Sequence, residues 1–223
     1  MKPGALLALF FEAAASSSCD RSDAELYLKP LGVPSNLKPL RVEYPDHGRR
    51  LHCGAQYYVR PDRHLADAPV VTWSVLPGEK FTLLMVDPDA PDRHADGSKA
   101  GTFGPWLHWL LTGCDGSTLR CSDTPVGYSG PAPPMGNHRY IFLLLKEKAA
   151  AEGPSLTGVS TSERGRWALD RFLTDNRDVL EPTALSFYYC GSSQPKNHRS
   201  FRPAEDVSPG RELRRKLRLR ASH

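Results

Sequence analysis

A mainly β, loop-rich fold of short strands is what this sequence predicts. Twenty prolines and eighteen glycines in 223 residues interrupt the chain too often for a helix bundle. Three apolar runs, residues 81–86, 107–112 and 140–146, have the length of strands and are apolar on both faces. Apolar residues make up 39% of the chain and charged residues 24%, enough to build a core and too balanced for wholesale disorder. The length suits one large domain or two small ones.

Residues 1–19 resemble a secretory signal. Lys2 supplies positive charge, residues 5–11 are apolar, and Ala13, Ala14, Ala15 and Ser16 offer small-residue cleavage sites. The apolar run is short and Glu12 closes it, so a secreted chain and a cytoplasmic one both stay open. The run is too short to span a membrane. Residues 1–37 read as a leader, loose after residue 20 except for a short helix over 23–28. The main domain is expected over 38–191.

Residues 40–44 alternate and read as a strand. Residues 45–68 are polar and loop-like, with one short strand near 56–59. Residues 70–75 form the next strand, and Pro77-Gly78 turns the chain into the 81–86 strand. A polar loop over 94–104 precedes the 107–112 strand, in which strict alternation puts His108 with Leu110 and opposes Trp109 to them. The proline-rich loop over 130–136 has little freedom to lose on folding. It leads into the 140–146 strand. Ser160 with Glu163 fits a capping box, so a helix is expected over 162–177, with Leu169, Phe172 and Leu173 on one face. Residues 185–189 read as the last strand.

Beyond 191 the chain is polar and basic. Over residues 209–223, Arg211, Arg214, Arg215, Lys216, Arg218 and Arg220 oppose only Glu212, a net of +5. With +4 overall, the rest of the chain carries −1. A general nucleic-acid surface is therefore not indicated. The tail is expected to touch anionic membranes weakly. Of the five cysteines, no pair has zinc-ribbon spacing. Cys114 and Cys121 flank a glycine-containing loop, and a bridge between them and free thiols are both open readings.

The ionisable residues cluster at strand ends. Asp87 and Asp89 follow the first buried run between two prolines, His108 sits in the second, and His138 with Arg139 opens the third. A buried charge is costly unless paired, so the economical arrangement brings these ends into one pocket. His108, His138, Asp87 and Asp89 would also suit a zinc or iron site, a less favoured reading. No Ser or Cys near these motifs has an obvious base partner, so an enzyme is not expected.

Asp87-Pro88-Asp89-Ala90-Pro91-Asp92-Arg93, then Leu107-His108-Trp109-Leu110, then Gly130-Pro131-Ala132-Pro133-Pro134-Met135-Gly136-Asn137-His138-Arg139-Tyr140, resemble the phosphatidylethanolamine-binding protein family in order and spacing. The likeness runs over residues 40–189 and includes Arg164-Gly165-Arg166-Trp167, Phe172 and Glu181-Pro182. The cysteines and leader resemble its secreted branch.

The resemblance implies a Greek-key sandwich of antiparallel sheets with a few peripheral helices. It implies a monomeric, cofactor-free binding protein and signalling modulator. Its pocket would take phosphate groups, phosphorylated small molecules or phospholipid headgroups. Asp87, Pro91, Trp106, His108, Gly130, Pro131, His138 and Tyr140 would line or support that pocket, with Asp89, Arg93 and Arg139 as structural support. His108 and His138 are the expected phosphate donors, with Asp87 orienting one of them. A protein kinase or protease bound through the same face is the alternative. The proline-rich loop reaches its His two residues sooner than in the animal cytosolic members, which implies a wider mouth. Their C-terminal helix has no clear match after Cys190, which argues against kinase inhibition by the same mechanism.

Overall fold

A computed structural model describes residues 21–44, 49–51, 53–58, 63–93, 103–115, 119–148 and 152–192. The expected signal over 1–19, the basic tail and much of the 94–104 loop lie outside these. Helix α1 (Ser22–Leu28) is followed by strands β1 (Lys38–Pro39), β2 (Arg41–Tyr44), β3 (Arg49–Arg50), β4 (Gln56–Tyr58), β5 (Val70–Thr72), β6 (Lys80–Asp87), β7 (Trp106–Asp115), β8 (Asp123–Val126) and β9 (Asn137–Glu147). Helix α2 (Leu169–Asp175) and strand β10 (Leu180–Gly191) complete the order.

A seven-stranded sheet runs β1-β10-β9-β6-β7-β8, with β4 also on β10, and a three-stranded sheet runs β3-β2-β5. The pairings of the central strands are antiparallel, whereas β1 and β4 join β10 in parallel. The large sheet is therefore mixed rather than wholly antiparallel. No described helix is long and apolar enough to cross a membrane.

The central strands are apolar throughout because they are covered twice. Phe81, Leu83 and Met85 of β6, with Tyr140, Phe142 and Leu144 of β9, face Val42, Tyr44 and Val71 of the small sheet. The alternate residues Leu84, Val86, Ile141, Leu143 and Leu145 face the helix side, where Ala24, Leu28, Trp167, Leu169 and Phe172 cover them. The result is three layers, small sheet, large sheet and helices. Each side chain buried this way contributes about 1.5–3 kcal/mol.

Three expectations need correction. The stretch over 21–37 is not loose: Ala24, Leu28, Val33 and Leu37 are buried against the large sheet. The helix expected over 162–177 begins only at Leu169. The first half of the capping box does form, since the Ser160 Oγ accepts from the Glu163 N–H at 3.1 Å. Arg166 then takes φ 51, and residues 164–167 hydrogen-bond to the 103–107 segment instead of to themselves. Finally, alternation in β7 breaks at His108. Trp109 pairs with Met85 and Leu107 pairs with Val86, so His108 is a bulged extra residue. Leu107 and Leu110 face the helices, while His108 and Trp109 both turn to the other side.

Candidate functional site

Because β6 runs antiparallel to both β7 and β9, its C-terminal end meets the N-terminal ends of those two strands. Asp87 is paired with Trp106, and Val86 with Ile141, a few residues beyond His138. The strand ends bearing ionisable residues thus converge, and they enclose a cavity of about 310 Å³, a size typical of small-ligand sites.

Asp87, His108, His138 and Tyr140 supply its polar floor. The Tyr140 ring lies between the two histidines, 5.1 Å from His108 edge-on and 6.5 Å from His138 in a stack. Burial pushes the Tyr140 phenol well above its ordinary pKa, so it stays protonated. Pro91 lines the cavity beside Ala90, and Trp106 beside Phe103. Ser129, Gly130, Ala132, Pro133 and Pro134 make the opposite wall. Gly130 is needed for close approach: a Cβ there would stand 2.8 Å from the Leu65 carbonyl oxygen.

Pro131 is buried and is not among the residues that line the cavity. Ala90, Phe103, Ser129 and Ala132 line the cavity without a signal in the sequence, because single apolar or small residues in loops carry no chemical signature. Asp89 and Arg139 also stand outside the cavity. Asp89 is fully buried and accepts from the Arg139 backbone N–H at 2.9 Å, from Nε at 2.8 Å and from Nη2 at 2.7 Å. Burial raises the Asp89 pKa and the Arg139 contacts lower it, with a net fall below the usual carboxylate value. Arg93 lies close by, its Nε 3.8 Å from Asp89.

The two histidines differ. His138 is wholly buried; its Nδ1 donates to Asp87 Oδ2 at 2.7 Å, and its Nε2 lies 2.9 Å from the Met135 carbonyl oxygen. Both partners are acceptors, which favours the doubly protonated ring. Burial lowers the His138 pKa, but the hydrogen bond and charge of Asp87 outweigh it, and the net shift is upward. His108 donates from Nδ1 to the Ser129 carbonyl oxygen at 2.6 Å. Burial dominates there and lowers its pKa. At neutral pH His108 is therefore neutral, with a lone pair on Nε2.

This revises the expected pair of phosphate donors. Both His138 nitrogens are already engaged, and the two Asp87 oxygens accept from His138 and from the Asp89 N–H. His108 Nε2 is the ring nitrogen left for a ligand among the described residues. Nor do Asp87, Asp89, His108 and His138 make a metal site: no group of three or more His, Cys, Asp or Glu among the described residues could hold a metal ion.

Arg164 is a further residue at the site. Its Nη1 donates to the carbonyl oxygens of His108 at 3.0 Å and Gly127 at 2.9 Å, joining the bulge to the wall. Cys114 and Cys121 are bridged, and Cys53 is also disulfide-bonded.

A solved carboxypeptidase Y inhibitor, in complex with its cognate proteinase, shares this fold. Its TM-score is 0.60 at 21% identity, over 78% of this chain and 95% of that one. A phosphatidylethanolamine-binding protein from Plasmodium vivax superposes at TM-score 0.56 and 18% identity, over 76% of this chain and 95% of its own. In sequence, a 26 kDa secreted antigen of Toxocara canis is 35% identical over 128 residues, 56% of this chain and 47% of that protein. CEN-like protein 4 of Nicotiana tabacum is 36% identical over 112 residues, 49% of this chain and 58% of that protein. The chain thus spans about half the length of the curated relatives it matches. The family model for phosphatidylethanolamine-binding proteins matches residues 45–187, more than half of the chain and the whole of the cavity just described, and the chain belongs to that family.

Proposed function

We propose that this protein is a non-enzymatic binding module whose cavity takes a phosphate-bearing group, either a phospholipid headgroup or a phosphorylated small molecule, and that it acts as a signalling modulator. The observation that carries the reading is the state of His108. It is the one cavity histidine with an uncommitted nitrogen, fixed by Ser129 in a mostly apolar chamber. A neutral His108 presents a lone pair, so an anionic oxygen binds only when Nε2 takes up a proton. The buried Asp87–His138 pair beside it is internally neutralised and adds no net repulsion. Prolines at 133 and 134 hold the wall before a ligand arrives, which lowers the ordering cost of binding.

Calorimetric titration with O-phosphoethanolamine tests this. Binding by the parent protein, weakened at least about tenfold in His108→Ala, is the expected result; a tenfold loss corresponds to about 1.4 kcal/mol. Equal affinity in the variant would place the ligand elsewhere.

A second reading is a protease inhibitor, favoured by the fold shared with the carboxypeptidase Y inhibitor. The two separate by competition. A protease held through the same face would be released by saturating phosphoethanolamine, whereas one held elsewhere would not.

A further inference from the structure

Helix α1 contributes no residue to the cavity lining, yet it is tied to the loop that builds the cavity. His138 and Arg139 are neighbours on β9 and point to opposite sides: His138 to the cavity, Arg139 to α1. Arg139 holds Asp89 through its backbone and two guanidinium nitrogens, and Asp89 in turn donates its N–H to Asp87 in the cavity floor at 2.8 Å. The remaining Arg139 nitrogen, Nη1, donates to the Asp23 carbonyl oxygen at 2.9 Å. The Asp23 carboxylate lies 3.5 Å from Arg93 Nη2 and accepts from the Tyr189 hydroxyl. The Arg93 carbonyl oxygen accepts from the Asn137 N–H at 3.3 Å, at the start of β9. Arg93 also lies over the Tyr189 ring, and Arg139 over Tyr27 of α1.

We propose that Asp23 is a positioning residue for the cavity. Its carboxylate holds Arg93 and Tyr189 while its backbone carbonyl holds Arg139, and the carboxylate contacts fix the 87–93 loop and with it Asp87 and Pro91, so that docking of α1 and ligand affinity are coupled. This rests on the cavity being the ligand site proposed above. The helix is seven residues long and has no side-chain cap at its start, too short to persist by itself. Its order comes from burying Ala24 and Leu28 and from the Asp23 contacts. The Asp23 side chain is 43% exposed, so its ion pair contributes little to global stability. What it supplies is local, a bias between a docked and an undocked segment. Coupling of this kind is reciprocal: a ligand in the cavity must strengthen the docking of α1.

Two variants of the full chain test this, Asp23→Ala and, as a control on the same helix, Leu26→Ala, whose side chain is 72% exposed. Hydrogen exchange without any ligand comes first. Asp23→Ala should speed exchange of the amides over 88–93 and 137–139, and Leu26→Ala should not. Unchanged exchange in Asp23→Ala, or an equal change in both variants, would overturn the proposal. O-phosphoethanolamine is the probe for the second measurement. Asp23→Ala should lower its affinity roughly 2- to 30-fold, and the probe should slow exchange over 22–28 in the parent. Unaltered affinity in a loosened loop would also overturn the positioning role. If the parent itself fails to bind the probe, the cavity reading fails, and the ligand-free exchange alone decides whether Asp23 fixes the loop.

Discussion

His138 and Asp87 meet through a 2.7 Å hydrogen bond in a site where neither side chain is more than 4% exposed. The ring is held on its far side by the Met135 carbonyl, so one imidazolium joins the end of β6 to the proline-rich wall. Two opposed forces set its charge: burial lowers the His138 pKa and Asp87 raises it. In an NMR titration His138 should therefore titrate above about 6.5 and His108, governed by burial, below it. Asp87→Asn removes the largest upward causes and leaves burial opposed by the Asp89 charge and the Met135 carbonyl, so the His138 pKa should fall. A His138 that stays high in that variant would mean another group charges it.

The same shifts fix the sign of stability against pH. A raised His138 pKa stabilises the fold fully below the unfolded value, about 6.5, and that stability is lost as pH rises through the folded value. His108 acts in reverse: its folded pKa is depressed, so lowering the pH below about 6.5 destabilises the fold. The parent shows the difference of the two. Denaturant titrations from pH 5 to 8 should reveal the His138 contribution alone in His108→Gln, as stability that falls with rising pH. A flat profile in that variant would contradict the assignment.

Much of this was legible in the residues. β6, β7 and β9 are apolar on both faces because a sheet and a helix layer cover them, and the sequence carries that directly. The convergence of Asp87, His108 and His138 was also legible, since buried charges need partners. The bulge was not. It arises from how Leu107 and Trp109 register with Val86 and Met85, a property of two strands that one strand cannot display. The helix start was misplaced for a related reason: Ser160 and Glu163 give a genuine local signal, but residues 164–167 find stronger partners at 103–107. Pro131, expected to line or support the cavity, is buried outside its lining, since in an extended stretch only some neighbours face one side.

Anion binding should follow the proton on His108. Sulfate, which does not ionise further between pH 5 and 8, separates the protein's titration from the ligand's. Its affinity should rise as pH falls through about 6.5 and below, by at most tenfold per unit for one proton taken up. His108→Gln should abolish the slope. Affinity independent of pH in the parent would mean that His108 takes no proton on binding.

Asp89 and Arg139 form a second buried ion pair beside the cavity. Asp89→Ala leaves the guanidinium without its carboxylate and should cost about 3–5 kcal/mol in urea unfolding. The lowered Asp89 pKa makes its contribution present above about 3.9 and lost as pH falls through the folded value. The variant lacks this acid-sensitive contribution, so the stability gap between parent and variant should narrow as pH falls below about 3.9. A variant as stable as the parent would show that the pair does no more than replace an apolar contact.

The Cys114–Cys121 bridge closes a short loop beyond the end of the β7–β8 pairing, with a sequence separation of 7. Closing a loop of this size stabilises the fold by roughly 2 kcal/mol on the chain-entropy account. The double change Cys114→Ser with Cys121→Ser should lower unfolding free energy by about that amount. Protein from its native source, treated with a thiol reagent before and after reduction, should show the bridge if the chain passes through an oxidising compartment. Free thiols at both positions would place it in a reducing one.

Arg164 should matter to the cavity through the placement of its Nη1 rather than through its charge. Nη1 donates to the carbonyl oxygens of His108 and Gly127, and the Arg164 carbonyl oxygen accepts from the Leu107 N–H at 2.8 Å. These contacts hold the bulged residue against the wall that also receives the His108 Nδ1 bond. The carbonyl oxygen of the bulged His108 accepts from the Ser129 N–H at 2.9 Å, and the guanidinium is its second donor. Arg164→Leu should therefore cost about 2 kcal/mol of stability and weaken phosphoethanolamine binding by loosening His108. Arg164→Lys separates the two explanations. A lysine keeps the positive charge but lacks the rigid guanidinium plane that sets Nη1 between the two carbonyls. If field alone matters, Lys restores affinity; if placement of His108 matters, Lys behaves like Leu. The geometry predicts the second outcome, together with a His108 ring whose NMR titration moves toward the ordinary value as its backbone is freed.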